Sequence, residues 1–126
     1  MPSQDSTLIE SFQHAFAGMW FALRSQRNAR IHVAIATVVL LLGIFVGLDP
    51  LQWAIIVLTT GFVFVAELFN TVIESIIDLV TEEYHPLAKQ AKDVAAAAVL
   101  TSAIVAVAVG VLILGPPLLT KVGWKP

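Results

Sequence analysis

The chain contains no cysteine. That excludes a disulfide scaffold, a thiol nucleophile and thiolate metal sites. Charge is scarce too: 13% of the 126 residues are Asp, Glu, Lys or Arg, against about a quarter in an ordinary soluble domain. Glycine is missing between Gly61 and Gly110. Neither a Walker loop nor a kinase-type glycine-rich loop, whose backbone amides cradle phosphate, can form there. There is no G-x-S-x-G elbow and no H-E-x-x-H pair, and three scattered histidines do not make a metal cage. A net charge of −2 leaves no basic face for nucleic acid. The N-terminus carries Asp5 and Glu10 in place of a basic region before an apolar run, so no signal peptide is expected.

What remains is apolar. Hydrophobic residues make up 58% of the chain, and the mean hydropathy is +0.87. This is too greasy for a water-soluble globule, and the length allows one domain, 1–126. An integral membrane protein is expected.

Residues 7–23 place Leu8, Phe12, Phe16, Met19 and Leu23 at steps of three and four, with Glu10, Gln13 and His14 opposite. That spacing predicts an amphipathic helix. Thr7 followed by Glu10 fits a capping box at its start. Two placements are open: in the bilayer interface, or packed on the protein's own bundle. Val33 to Leu48 carries no charge and, with Ile31 and His32, just reaches spanning length. Asp49-Pro50 then supplies an N-cap and a first-position proline, so an antiparallel helix starts at once. Residues 50–80 would extend about 46 Å as one helix, longer than the bilayer core. A polar loop, 81–93, precedes a second charge-free run ending at Pro116-Pro117. The expected fold is all-α and membrane-integral. It comprises a surface helix (7–30) and three spans (31–48, 50–80 and 94–119) in an oligomeric bundle.

Basic residues orient it. Arg24, Arg27 and Arg30 precede the first span, and Lys89 and Lys92 lie between the second and third. The turn between the first two spans has none. The N-terminus and the 81–93 loop should face the cytoplasm of a plasma (inner) membrane, with Lys121 and Lys125 dissenting.

The acidic residues of the second span fall into a pattern. On a helical wheel Glu67, Asn70, Glu74 and Asp78 lie within an arc of about 80°, while Leu68, Phe69, Ile73, Ile76 and Ile77 lie outside it. Ionisable groups at membrane depth are costly and by default mark function. The bland alternative has Glu74 and Asp78 solvated among headgroups. Counting from Leu51 at the outer edge, about 20 residues reach the inner edge near Asn70. Glu67 then sits just inside the hydrocarbon, where a buried carboxylate suits general-base work on a lipid hydroxyl. Glu74, further out, can reach a hard ion such as Mg²⁺. Lys89 and Lys92 suit polyphosphate charge. His85 is either a ligand or an ordinary surface residue.

The stretch AELFNTVIESIIDLVTEEYHPLAKQAKDVAAAAVL (66–100), extended back through SFQHAFAGMWFALRSQRNARIH (11–32), resembles the prokaryotic diacylglycerol kinase family, which includes the undecaprenol kinases. The resemblance implies a small membrane kinase moving the γ-phosphate of ATP to a lipid alcohol with Mg²⁺. It also implies a homotrimer with active sites shared between neighbours. By motif, Glu67 would be the general base, with Asn70 beside it at the lipid substrate, and Glu74 a metal ligand. Glu83, Tyr84, His85, Lys92 and Asp93 would contact ATP. Relatives commonly carry Glu immediately before Arg-Asn as a second metal contact. Here Gln26 stands there, offering a carbonyl oxygen but no charge. The EEYHPLAK stretch is more similar to the undecaprenol kinase branch. Two other readings stay open: a small proton-coupled transporter with Glu67 as carrier, and a non-catalytic membrane protein derived from kinases.

Overall fold

The structure, a computed structural model, describes residues 7–124; Asp5 and Lys125 lie outside them. Four helices follow in order: α1 (Leu8–Ser25), α2 (Arg27–Val46), α3 (Pro50–Val80) and α4 (Pro86–Lys121). Among the described residues there is no strand. Helices α2, α3 and α4 are each long and apolar enough to cross a membrane.

The capping box at the start of α1 is formed. The Thr7 backbone N–H donates to Glu10 Oε2 at 2.8 Å, and the Glu10 N–H to Thr7 Oγ1 at 3.3 Å. The helix ends earlier than the 7–30 expected for the surface segment. Gln26 is extended (φ −105°, ψ 118°) and separates α1 from α2, so residues 27–30 open the first span. The elbow is tied by Arg30, whose Nη1 donates to the carbonyls of Leu23 and Arg24, both at 3.0 Å. These are helix-end acceptors that lack intrahelical donors. The apolar face of α1 is not covered by its own bundle: Leu8, Phe12 and Phe16 are 75%, 58% and 65% exposed. Toward its C-terminus α1 does meet the bundle, where Ala22 is buried and Met19 and Leu23 are partly covered. The uncovered stripe suits the bilayer interface.

Between α2 and α3 the chain reverses within three residues. Gly47 adopts φ 75°, ψ 62° as the left-handed cap of α2, a conformation open to glycine at little cost. Asp49 then accepts from the Gln52 N–H at 2.9 Å, while Gln52 Oε1 accepts from the Asp49 N–H at 3.0 Å. One turn inside α2, Gly43 admits the Trp53 ring; a Cβ there would lie 2.8 Å from Cη2. The apolar core sits at this end, where Leu48, Ile56 and Leu114 are buried against Val39, Leu42, Trp53, Ile113 and Leu118.

Helix α4 is longer at both ends than residues 94–119. His85 caps its N-terminus, accepting from the Leu87 N–H through Nδ1 at 3.2 Å, and Pro86 takes the first turn, where its missing N–H costs nothing. The non-helical loop is therefore 81–85. The charged residues 89–93 belong to the helix, where Lys89 and Asp93 pair one turn apart. At the other end α4 passes through Pro116-Pro117 to Lys121. Two prolines forfeit two helical donors, yet Leu118 packs on the core and Thr120 Oγ1 donates to the Pro116 carbonyl at 3.1 Å. That packing keeps the last turn.

Candidate active site

The buried residues of α3 are Ile56, Val63, Glu67, Asn70 and Thr71. Their spacing of seven, four, three and one keeps them on one face. The acidic arc is thus a continuation of the core-facing stripe. Toward Asp49 that stripe is apolar. Past Val63 it turns polar while still facing the bundle.

Glu67 is 0% exposed, and among the described residues neither carboxylate oxygen has a hydrogen-bond partner. Its own carbonyl accepts from Thr71 Oγ1 at 2.9 Å, which leaves the side chain free. Opposite, on α4, Ala95, Val99 and Ser102 are buried. Ser102 spends its hydroxyl on the Val99 carbonyl at 2.7 Å and offers Glu67 nothing. His32 of α2 lines the apolar groove on this side of the bundle.

About two turns along, Glu74 is half-buried and held from both sides. Asn70 Nδ2 donates to Oε1 at 3.1 Å, and Gln26 Nε2 donates to Oε2 at 2.9 Å across from the α1–α2 elbow. The Asn70 Oδ1 atom is buried without a partner. Gln26, Asn70 and Glu74 therefore form one connected cluster. Its donor set is all oxygen apart from the two amide nitrogens, and one of its carbonyl oxygens is without a partner. Such a set fits Mg²⁺, which takes one or two carboxylates and completes its shell with phosphate oxygens and water. Among the described residues no three His, Asp or Glu side chains gather at one point, so an all-protein cage is not available.

One turn further, Asp78 Oδ1 accepts from Lys92 Nζ at 2.6 Å, bridging α3 and α4. Around this pair the 81–85 loop and the start of α4 enclose a concavity of about 520 Å³, lined by Glu83, Tyr84, His85, Lys89, Lys92 and Asp93 among others. All five residues expected to contact nucleotide are here. Both lysines are already paired, Lys92 with Asp78 and Lys89 with Asp93 at 2.5 Å. Tyr84 is exposed, and His85 commits Nδ1 to the cap. No hydrogen bond among the described residues joins this concavity directly to Glu67; the link runs along α3, through Glu74 and Asp78.

On the other side of Glu67 lies an apolar groove of about 720 Å³ between α2, α3 and α4, lined by His32, Val39, Thr60, Val63, Ala106 and Gly110 among others. Glu67 is one turn beyond Val63, at the level where this groove gives way to the polar cluster.

Two residues gain importance that the sequence reading did not assign. His32 lines the apolar groove from another helix, and a lone histidine at a span's flank has no spacing signal to announce it. Asp78 lay in the acidic arc without a role. Its partner Lys92 is fourteen residues away, a separation that no single-helix periodicity marks.

Known proteins resemble this chain over most of its length. Residues 13–114 match the family described as prokaryotic diacylglycerol kinase. The chain is 46% identical over 110 residues to the undecaprenol kinase of Bacillus subtilis (strain 168), covering 87% of this chain and 89% of that protein. It is also 46% identical over 114 residues to a diacylglycerol kinase of Synechocystis, covering 90% of this chain but 65% of that longer protein. A diacylglycerol kinase of Helicobacter pylori (strain 26695) is 39% identical over 93 residues, covering 74% of this chain and 73% of that protein. A single carboxylate without partners, set between an apolar groove and a polar cluster on one helix, thus occurs in a chain that belongs to the prokaryotic diacylglycerol kinase family.

Proposed function

We propose that this protein is a lipid kinase that transfers the γ-phosphate of ATP, as its Mg²⁺ complex, to the hydroxyl of a membrane lipid alcohol, undecaprenol or diacylglycerol. The observation that carries the reading is Glu67, buried, unpartnered and positioned where the apolar groove meets the Glu74 cluster. The lipid approaches from the groove with its hydroxyl at Glu67 and Asn70, and the nucleotide from the loop concavity. In the transfer, the lipid oxygen forms a bond to the γ-phosphorus as the bond to the β,γ-bridging oxygen breaks. The hydroxyl proton passes to the Glu67 carboxylate, and ADP leaves. Glu74, with the Asn70 and Gln26 carbonyl oxygens, would hold the Mg²⁺ that neutralises phosphate charge. Glu83, Tyr84, His85, Lys92 and Asp93 contact ATP, and Lys92 exchanges Asp78 for phosphate.

In this reading the basic end of the bundle, with Arg24, Arg27, Arg30, Lys89 and Lys92, faces the cytoplasm of the plasma membrane. Lys121 lies at the opposite end, over the Phe45 ring at 5.3 Å, and is outnumbered. The active assembly is a homotrimer sharing sites between neighbours, which accounts for a site with one metal-contacting carboxylate and an open groove. The proton-carrier alternative has less support: between Asp49 and Glu67, α3 bears no titratable residue.

Purified protein in lipid, given radiolabelled Mg·ATP and a panel of lipid alcohols, should phosphorylate one class of them. Glu67→Gln should abolish the transfer; phosphorylation at the original rate would defeat the base assignment. Native mass spectrometry in detergent checks the trimer, and any other stoichiometry removes it.

A further inference from the structure

Gln26 occupies an unusual backbone position. It is at once the C-cap of α1 and the N-cap of α2, the single extended residue between two helices. A residue at an N-cap normally spends its side chain on the free amides of the helix it opens. Gln26 makes no such bond. Its side chain crosses to α3 and donates to Glu74 Oε2 at 2.9 Å. An ionised carboxylate only accepts hydrogen bonds, so the NH₂ group must be the one that faces Glu74. With Asn70 Nδ2 on Oε1, both carboxylate oxygens are satisfied by neutral amides. The cluster then carries one negative charge and no hydrogen-bonding deficit on Glu74. Of the neighbouring carboxylates, Glu67 lies about two turns below in the bundle, and Asp78 is paired with Lys92.

Oxygen sites bind divalent cations with affinities set by the number of charged ligands, and Mg²⁺ gives up its water reluctantly. We infer that Gln26 makes the cation of this site nucleotide-borne: Glu74 holds no divalent ion from solution, and the ion enters and leaves with the triphosphate. The inference rests on the proposed contact between Glu74 and the cation. In the resting site the two amides occupy Glu74. When a metal–nucleotide complex arrives, the phosphate oxygens supply the missing negative charge. The amides then turn their carbonyl oxygens inward, and Asn70 already has its Oδ1 free for this.

Manganese binding followed by electron paramagnetic resonance tests the inference without turnover, using the full chain in lipid nanodiscs. Wild type without nucleotide should leave Mn²⁺ free, and adding a non-hydrolysable ATP analogue should produce a bound signal. Gln26→Glu, which supplies a second charge, should bind Mn²⁺ without nucleotide on the order of tenfold or more tighter than wild type. Gln26→Ala, which removes the amide without adding charge, should also leave Mn²⁺ free in the absence of nucleotide, and should weaken the nucleotide-dependent signal by losing one carbonyl oxygen. Tight nucleotide-free binding in wild type that disappears in Glu74→Gln would overturn the inference. So would an unchanged Gln26→Glu, or a nucleotide-free site created by Gln26→Ala. If Glu74→Gln keeps the full nucleotide-dependent signal, Glu74 is not a cation contact and the inference falls with it. The transferase reading would still be judged separately, by lipid phosphorylation.

Discussion

Glu67→Met separates what a buried acid does for the reaction from what it does for the fold. The side chain is wholly enclosed, and neither oxygen has a partner among the described residues. An unsatisfied buried polar group costs about 1–3 kcal/mol of stability. Methionine keeps the side chain's length and flexibility while removing both oxygens, and adapts to irregular packing. The variant should therefore unfold no more easily than wild type, with a gain of about 1–3 kcal/mol. Loss of a general base should at the same time cost roughly 10²–10⁴ in rate, or about 3–5 kcal/mol in barrier. The two effects run in opposite directions, which no ordinary core substitution imitates. Thermal unfolding by circular dichroism and lipid phosphorylation, measured on one preparation, give both quantities. A lower melting temperature would mean that the carboxylate has partners in the assembled protein and is structural. Retained turnover would mean that it is not the base.

Lys92→Ala should raise the KM for ATP with little change in lipid affinity; steady-state kinetics varying each substrate decides it, and an effect on lipid alone would remove Lys92 from the nucleotide site. Asp78→Asn should alter melting by less than about 0.5 kcal/mol, because the pair it breaks is solvent-exposed, yet should change the KM for ATP by releasing Lys92. Gly47→Ala should lower stability by about 1 kcal/mol through its positive φ alone, since nothing lies within 4 Å of a Cβ there. Asp49→Ala should cost a similar amount, about 1 kcal/mol, by removing the cap of α3; unchanged melting in either variant would contradict the turn described between α2 and α3.

Local signals were legible where a single residue type has a single physical use. Thr7 with Glu10, and Asp49 with Pro50, mark helix starts because their side chains or missing donors solve the end problem of a helix. The acidic arc was legible because the helical wheel places Glu67, Asn70, Glu74 and Asp78 together whatever surrounds them. The elbow at Gln26 was not. Residues 24–28 are all polar, with no proline or glycine to mark a break, and the break is held by bonds from Arg30 and Gln26. The start of α4 was misplaced for a different reason. Charges at 89–93 read as a loop, whereas Lys89 and Asp93 are a helical pair behind a His85-Pro86 cap. The passage of α4 through Pro116-Pro117 depends on Leu118 reaching the core, a tertiary contact that outweighs local proline cost.

One face of α3 serves as core at one end and as site at the other, and this gives a physical reason for the chemistry to sit where it does. From Ile56 to Val63 the face lines the apolar groove between α2, α3 and α4. Because the same face continues into Glu67 and Asn70 without a break in the helix, the proposed base is held by rigid neighbours rather than by a loop. Beyond Thr71 the bundle opens, and Glu74 and Asp78 are progressively wetter toward the loop concavity. In the proposed reaction this gradient of burial would set an order of substrates, the greasy one deep and the charged one shallow. The α1–α2 elbow adds Gln26 from a separate direction at the boundary between them. One turn toward Asp49 a carboxylate would take the place of Val63 in the apolar lining of the groove, and two turns the other way it would take that of Glu74, which is only half-buried. Of the polar positions on this face, residue 67 alone combines full enclosure with the absence of a partner.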